Sequence, residues 1–202
     1  MFSHEDQEAI LRFIFSREAN VELALGVLAA KKRISERIIK DFLTRLEAEL
    51  GLQARDMGGS WKVVNELKTN PFERYSQVYM TKRDWNDLYR IALGPESWGA
   101  RGFILGVWNH EDTLGQRLDG GRIMAALQGH VRSGLTSDAW PFWMWADPYR
   151  NWDDERTLAC FLGSRDIQAI SDLAGVMLTI ARATEHVIDT VVHNWREQQS
   201  RT

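Results

Sequence analysis

The chain is poor in the features that most directly reveal a compartment or a chemistry. It has one cysteine, Cys160, in 202 residues. A single thiol closes no internal disulfide, so the expected setting is reducing and cytoplasmic. No apolar run approaches the roughly 20 residues of a membrane span. The opening Met1-Phe2-Ser3-His4-Glu5-Asp6 is acidic, unlike the basic-then-apolar layout of a secretory leader. Positive charge is not in excess either. Lys and Arg total 25 against 28 Asp and Glu, a net charge of −3, which excludes a generally basic nucleic-acid binder. The tight basic cluster Lys31-Lys32-Arg33, with Arg37 and Lys40 after it, leaves room only for a local phosphate-contacting patch; its ordinary account is a solvated helix surface. The chain also has no P-loop, no Gly-x-Ser-x-Gly and no Gly-x-Gly-x-x-Gly.

What is present describes a folded body. Hydrophobic residues make up 44% and charged residues 26%, an ordinary globular balance. Residues 4–30 repeat Ile10, Phe13, Ile14, Val21, Leu25 and Leu28 near helical spacing, as one helix or as two broken near residues 16–20. Ser35 is placed to cap a second helix with Ile38, Ile39, Phe42, Leu46 and Leu50 on its apolar stripe, ended by Gly51. Residues 61–67 and 74–81 read as strands. Thr81 and Asp84 resemble a helix start, with Trp85, Leu88, Tyr89 and Ala92 on one face and Gly94-Pro95 as the stop. Residues 103–108 form an apolar, inner strand, and a short helix follows Gly120-Gly121. Residues 140–145 are extended, and residues 156–162 read as a strand that buries Cys160 as an inert core thiol. Ser164 then opens a helix of about 30 residues with one apolar face, from Ile167 to Trp195. The reading is α+β: a mostly antiparallel sheet with N-terminal helices, inserted helices and a long C-terminal helix. Residues 1–34 form a helical segment and 35–202 the α+β domain. The long closing helix could also pair with a second copy.

Four clusters are candidates for chemistry. Asp56 followed by Glu66-Leu67-Lys68 has the layout of a PD-(D/E)xK nuclease site. There two carboxylates hold Mg²⁺ while the lysine steadies the attacking water, and Glu47 or Glu49 could add a ligand. Glu and Lys two apart share one face of a strand; the ordinary account is an exposed strand face. His186, Asp189 and His193 lie near one side of the last helix, a possible ligand set or simply its polar face. His110 with Glu111 or Asp112 follows an inner strand, where acid–base groups are well placed. The least routine feature is aromatic. The chain has nine tryptophans, and Trp140-Pro141-Phe142-Trp143-Met144-Trp145 leads into Asp147-Pro148-Tyr149-Arg150-Asn151-Trp152. Strand alternation puts Trp143 and Trp145 on one face, Phe142 and Met144 on the other. Trp140, Trp143, Trp145, Tyr149, Arg150 and Trp152 are the expected binding residues, because Trp, Tyr and Arg dominate recognition hot spots; the alternative is an aromatic core under the last helix.

Trp140-Pro141-Phe142-Trp143 with Tyr149-Arg150-Asn151-Trp152, and Ala92-Leu93-Gly94-Pro95 leading to the strand ending at Trp108, resemble the C-terminal portion of some large bacterial PD-(D/E)xK-superfamily proteins found among defence and mobile-element genes. The resemblance spans roughly residues 35–200, rests on aromatic and structural motifs, and carries over no catalytic residue. It implies a small partner-binding or regulatory domain in a phage, plasmid or defence setting. The expectation is a non-enzymatic protein-interaction module without a cofactor; the alternative is a Mg²⁺-dependent nuclease using Asp56, Glu66 and Lys68.

Overall fold

The computed structural model describes residues 3–58, 60–71, 73, 75–96, 101–110 and 119–200. Its elements, in chain order, begin with the helices α1 (His4–Ile14) and α2 (Glu18–Asp56) and the strands β1 (Trp61–Asn65) and β2 (Val78–Lys82). After a single 3₁₀ turn come β3 (Tyr89–Pro95), β4 (Phe103–Asn109), α3 (Gly120–Leu127), β5 (Phe142–Trp145), α4 (Glu155–Cys160) and α5 (Arg165–Gln199). The five strands form one antiparallel sheet in sequence order. The α+β class, the N-terminal helices and the long closing helix are as the sequence implies.

The sheet has one covered face. In β1, Trp61, Val63 and Asn65 point to the helices, and their register partners Lys82, Met80 and Val78 point the same way. Ile91, Leu93, Leu105, Val107, Phe142 and Met144 continue that layer across β3, β4 and β5. It packs against Ile39, Phe42, Leu43, Leu46 and Leu50 of α2 and against Leu173, Met177, Ala181 and Ile188 of α5. Two helices over one face of a sheet bury each element's apolar side in a single core. At the end of this core, Trp152 stacks on Phe103 with centroids 3.8 Å apart, and Phe42 stacks on Phe161 at 3.9 Å. No residue from Ser3 to Ile34 is buried, and α2 runs unbroken through residue 34.

Several local expectations are corrected. Ser35 does not start a helix and Gly51 does not end one; both lie inside α2, which has no proline between Glu18 and Asp56. The expected helix after Thr81 is instead a hairpin. Asn86 and Asp87 take positive φ (49° and 60°), which these residue types tolerate best after glycine. The chain therefore turns back and Tyr89–Pro95 becomes β3. Within residues 156–162, positions 156–160 are helical rather than extended and the last two form a turn; the Asp154 carboxylate accepts the Arg156 N–H at 2.7 Å and caps α4. Cys160 is accordingly a half-buried helical thiol. Ile167, expected on the apolar stripe of α5, is 68% exposed.

The closing helix is tied to the sheet by a polar clamp. Lys82 Nζ donates to Asp189 Oδ2 at 2.7 Å and to Glu185 Oε1 at 3.0 Å, and Trp85 Nε1 donates to Asp189 Oδ1 at 2.7 Å. Burial alone would pull the Lys82 ammonium down, but the hydrogen bonds to Asp189 and Glu185 outweigh it and raise its pKa. Burial also raises the Tyr149 hydroxyl, helped by the bond it donates to Asp172 at 2.7 Å.

Asp189→Ala is expected to cost about 1–2 kcal/mol in denaturant unfolding, since it leaves the Trp85 N–H unpaired and the lysine half-satisfied. The raised values of Lys82 and Tyr149 act in the same direction. Each group contributes fully below its ordinary pKa and loses that contribution as pH rises through the raised one. Stability should hold up to about pH 9.5 and decline above about pH 10, and Tyr149→Phe should lessen that alkaline decline in a pH series of thermal melts.

Candidate functional site

Because the core uses one side of the sheet, the alternate residues of every strand face the other way. These are Lys62 and Val64; Tyr79 and Thr81; Arg90, Ala92 and Gly94; Ile104, Gly106 and Trp108; and Trp143 and Trp145. No helix covers this second layer among the described residues. Arg90 covers its centre. The guanidinium lies 4.0 Å from the ring centroid of Tyr79 and 4.7 Å from that of Trp108, and Nη1 donates to Glu66 Oε1 at 3.3 Å. At the far edge Arg150 lies 3.4 Å over Trp145, which meets Trp143 edge-on at 5.1 Å. These stacks keep Tyr79 and Ala92 out of water without a second layer of helices.

Beside this covered centre the surface sinks into a groove of about 640 Å³, within the usual range for a ligand site. Ile104 and Gly94 contribute to its floor; Trp108, Trp140, Trp143 and Tyr75 line its walls; Gln77, Glu96, His110 and Ser137 add polar atoms. The turn at residues 137–140 holds Trp140 in place. Ser137 N–H donates to Trp140 O at 2.8 Å, and Asn109 N–H donates to Ala139 O at 2.9 Å, joining that turn to the end of β4. His110 meets the Trp108 ring edge-on at 5.4 Å. Tyr75 takes φ 70°, a left-handed conformation that a tyrosine adopts only under constraint. Gln77 is 4% exposed, yet its side-chain Oε1 has no hydrogen-bond partner among the described residues. Gly94 makes room for it, since a Cβ there would come within 3.0 Å of Gln77 Cγ and of Ser76 O.

The six aromatic-segment residues divide between two roles. Trp140, Trp143, Trp145 and Arg150 are half-buried on the open side of the sheet. Tyr149 and Trp152 are core, 6% and 0% exposed; Trp152 is locked between Phe103 and Phe42 and donates its indole N–H to Tyr149 O at 2.7 Å. Sequence reasoning missed Arg90, Gln77, Glu96, Tyr75 and Ser137. The alternation Tyr89-Arg90-Ile91-Ala92-Leu93-Gly94 was the available signal for Arg90, but it competed with a helical reading of the same residues.

The nuclease constellation does not come together. Asp56 is exposed at the end of α2, and its side chain makes no hydrogen bond or ion pair among the described residues. Both Glu66 oxygens are engaged, one by Arg90 and the other by the Gln77 N–H at 3.2 Å. β1 ends at Asn65, so Glu66 and Lys68 lie beyond the strand that would align them, and Lys68 approaches Glu47 at 4.0 Å. Among the described residues no three His, Cys, Asp or Glu side chains are grouped to hold a metal ion. Asp189 belongs to the Lys82 clamp, while His193 pairs with Glu197 at 3.1 Å and His186 is exposed. Glu111 and Asp112 lie outside the described residues. In the basic cluster, Lys31 pairs with Glu155 at 2.7 Å and Arg37 with Asp41 at 2.9 Å. No helix among the described residues is long and apolar enough to cross a membrane.

Comparison with family models, curated proteins and solved structures gives no match to this chain.

The groove depends on close approach of β4 and β5. A Cβ on Gly106 would collide with the backbone of Phe142 and Trp143. Gly106→Ala should therefore cost about 1–3 kcal/mol, with a change in near-ultraviolet circular dichroism from the displaced Trp143–Trp145 pair.

Proposed function

We propose that this chain is a non-enzymatic protein-interaction module that receives its partner in the groove on the open side of its sheet. The observation that carries this reading is that Trp108, Trp140 and Trp143 are held half-buried around that groove. Indoles that belonged to the core would sit with Trp85 and Trp152, which are fully enclosed. Half-buried tryptophans fixed by neighbouring rings offer large contact area at small entropic cost, the property that makes them binding anchors.

The lack of a catalytic arrangement supports the same reading. Among the described residues the groove lining places no positioned nucleophile beside His110; the hydroxyl of Ser137 accepts the Trp140 N–H at 3.3 Å. The carboxylates of the alternative nuclease reading are apart or already paired. The resemblance of the aromatic motifs supports a defence or mobile-element setting for the partner.

Affinity purification from the native cell with wild-type protein and with Trp140→Ala and Trp143→Ala variants tests this. Partner capture should fall at least tenfold, while far-ultraviolet circular dichroism and the melting cooperativity stay close to wild type. Undiminished capture by both variants refutes the reading. Wild-type protein should not cleave DNA or RNA with Mg²⁺ or Mn²⁺; cleavage that Glu66→Ala abolishes would instead establish the nuclease.

A further inference from the structure

The groove is chemically lopsided. Its described lining contains one carboxylate, Glu96, and no lysine or arginine. Gln77 adds an amide oxygen that is buried and unpartnered among the described residues. Indole and phenol rings add negative π faces. Every one of these features seeks a donor or a cation; none of them offers a positive charge to an anion.

The same side of the sheet already shows what satisfies such surroundings. Arg90 lies over Tyr79 and Trp108 while pairing with Glu66, and Arg150 lies over Trp145. In the Arg90 case one planar cation stacks on rings and uses its edge N–H groups on a carboxylate. The groove repeats that set of partners, with Trp140 and Trp143 as rings and Glu96 as the carboxylate.

We propose that the groove binds an arginine side chain presented by a basic segment of the partner protein; the proposal rests on the reading of the groove as the partner-binding surface. A guanidinium is flat, permanently charged and carries five donors in a fixed fork, so it can stack on an indole while its edge donates to Glu96. A lysine ammonium supplies a point charge and no stacking plane. A phosphodiester chain would meet Glu96 with no lysine or arginine in the described lining to offset it.

The test is calorimetric titration of the full chain with acetyl-Gly-Arg-Gly-Arg-Gly-amide, with matched lysine and glutamate peptides, with a short oligothymidylate and with a neutral oligosaccharide. The arginine peptide should bind most tightly, about fivefold or more above its lysine counterpart, and should weaken as salt is raised. Glu96→Gln, at an exposed position, should weaken it about fivefold with the melting temperature unchanged, and Trp140→Ala about tenfold. Equal binding of the arginine and lysine peptides, preference for any other probe, no measurable arginine binding, or indifference to Glu96→Gln each overturns the proposal. The failures separate cleanly. If partner capture is sensitive to Trp140 and Trp143 while the arginine peptide is ignored, the interaction module stands and the arginine assignment falls. If capture is insensitive as well, both fall.

Discussion

Everything distinctive about this molecule follows from a five-stranded sheet that, among the described residues, has helices for only one of its faces. Side chains in a strand alternate between faces, so each strand that feeds Ile, Leu, Val or Met to the core must also send a second set outward. Covering that second set with another helical layer would give a three-layer fold. Here the covering is done by side chains: the Arg90 guanidinium between Tyr79 and Trp108, and Arg150 over Trp145. This solution leaves large rings partly accessible, and the groove forms where the stacked cations stop.

The one-sided arrangement puts a demand on the covered face. Two long helices, α2 and α5, must stay seated on the sheet. Apolar contact holds the middle of α5, and the Lys82–Asp189–Glu185 clamp, with the Trp85 indole N–H, fixes its later half. Glu185 and Asp189 stand one helical turn apart and would repel each other on a bare helix. One buried ammonium between them turns that repulsion into a reason for their spacing. Breaking either side of such a partly buried arrangement costs more than the pair contributes when intact, which favours one seating of the helix over its neighbours one turn away.

The elements legible from the sequence were those with a single dominant period. The α5 stripe and the inner strand β4 are of that kind, and so is the division of Trp143 and Trp145 from Phe142 and Met144. Where two periods fit the same residues, local turn chemistry decided. Trp85, Leu88, Tyr89 and Ala92 match a helix, and Tyr89, Ile91 and Leu93 match a strand; the Asn86-Asp87 turn resolves the ambiguity because both residues adopt positive φ. The Asp153-Asp154-Glu155 run before α4 was a capping signal outweighed by the apolar run Leu158-Ala159-Cys160-Phe161-Leu162. The candidate site was half legible. Its tryptophans stand out by composition, but Gln77 and Glu96 come from separate strand ends that only the pairing of β2, β3 and β4 brings to one rim. Trp152 belongs to the same sequence motif as Trp145 and has the opposite fate, because it falls past the end of β5 and folds back onto Phe103.

Glu66 shows how the fold gives a residue partners that its type and spacing do not reveal. A carboxylate two residues before a lysine has the composition of a metal-dependent nuclease, yet in the fold the two Glu66 oxygens face the Arg90 guanidinium and the Gln77 backbone N–H. Glu66 thus acts as the anchor that holds Arg90 flat on its rings. A guanidinium held flat keeps Trp108 in place, and Trp108 is a wall of the groove. Glu66 therefore supports the groove from behind, through one ion pair and one stacked cation, and so helps to preform one of its walls.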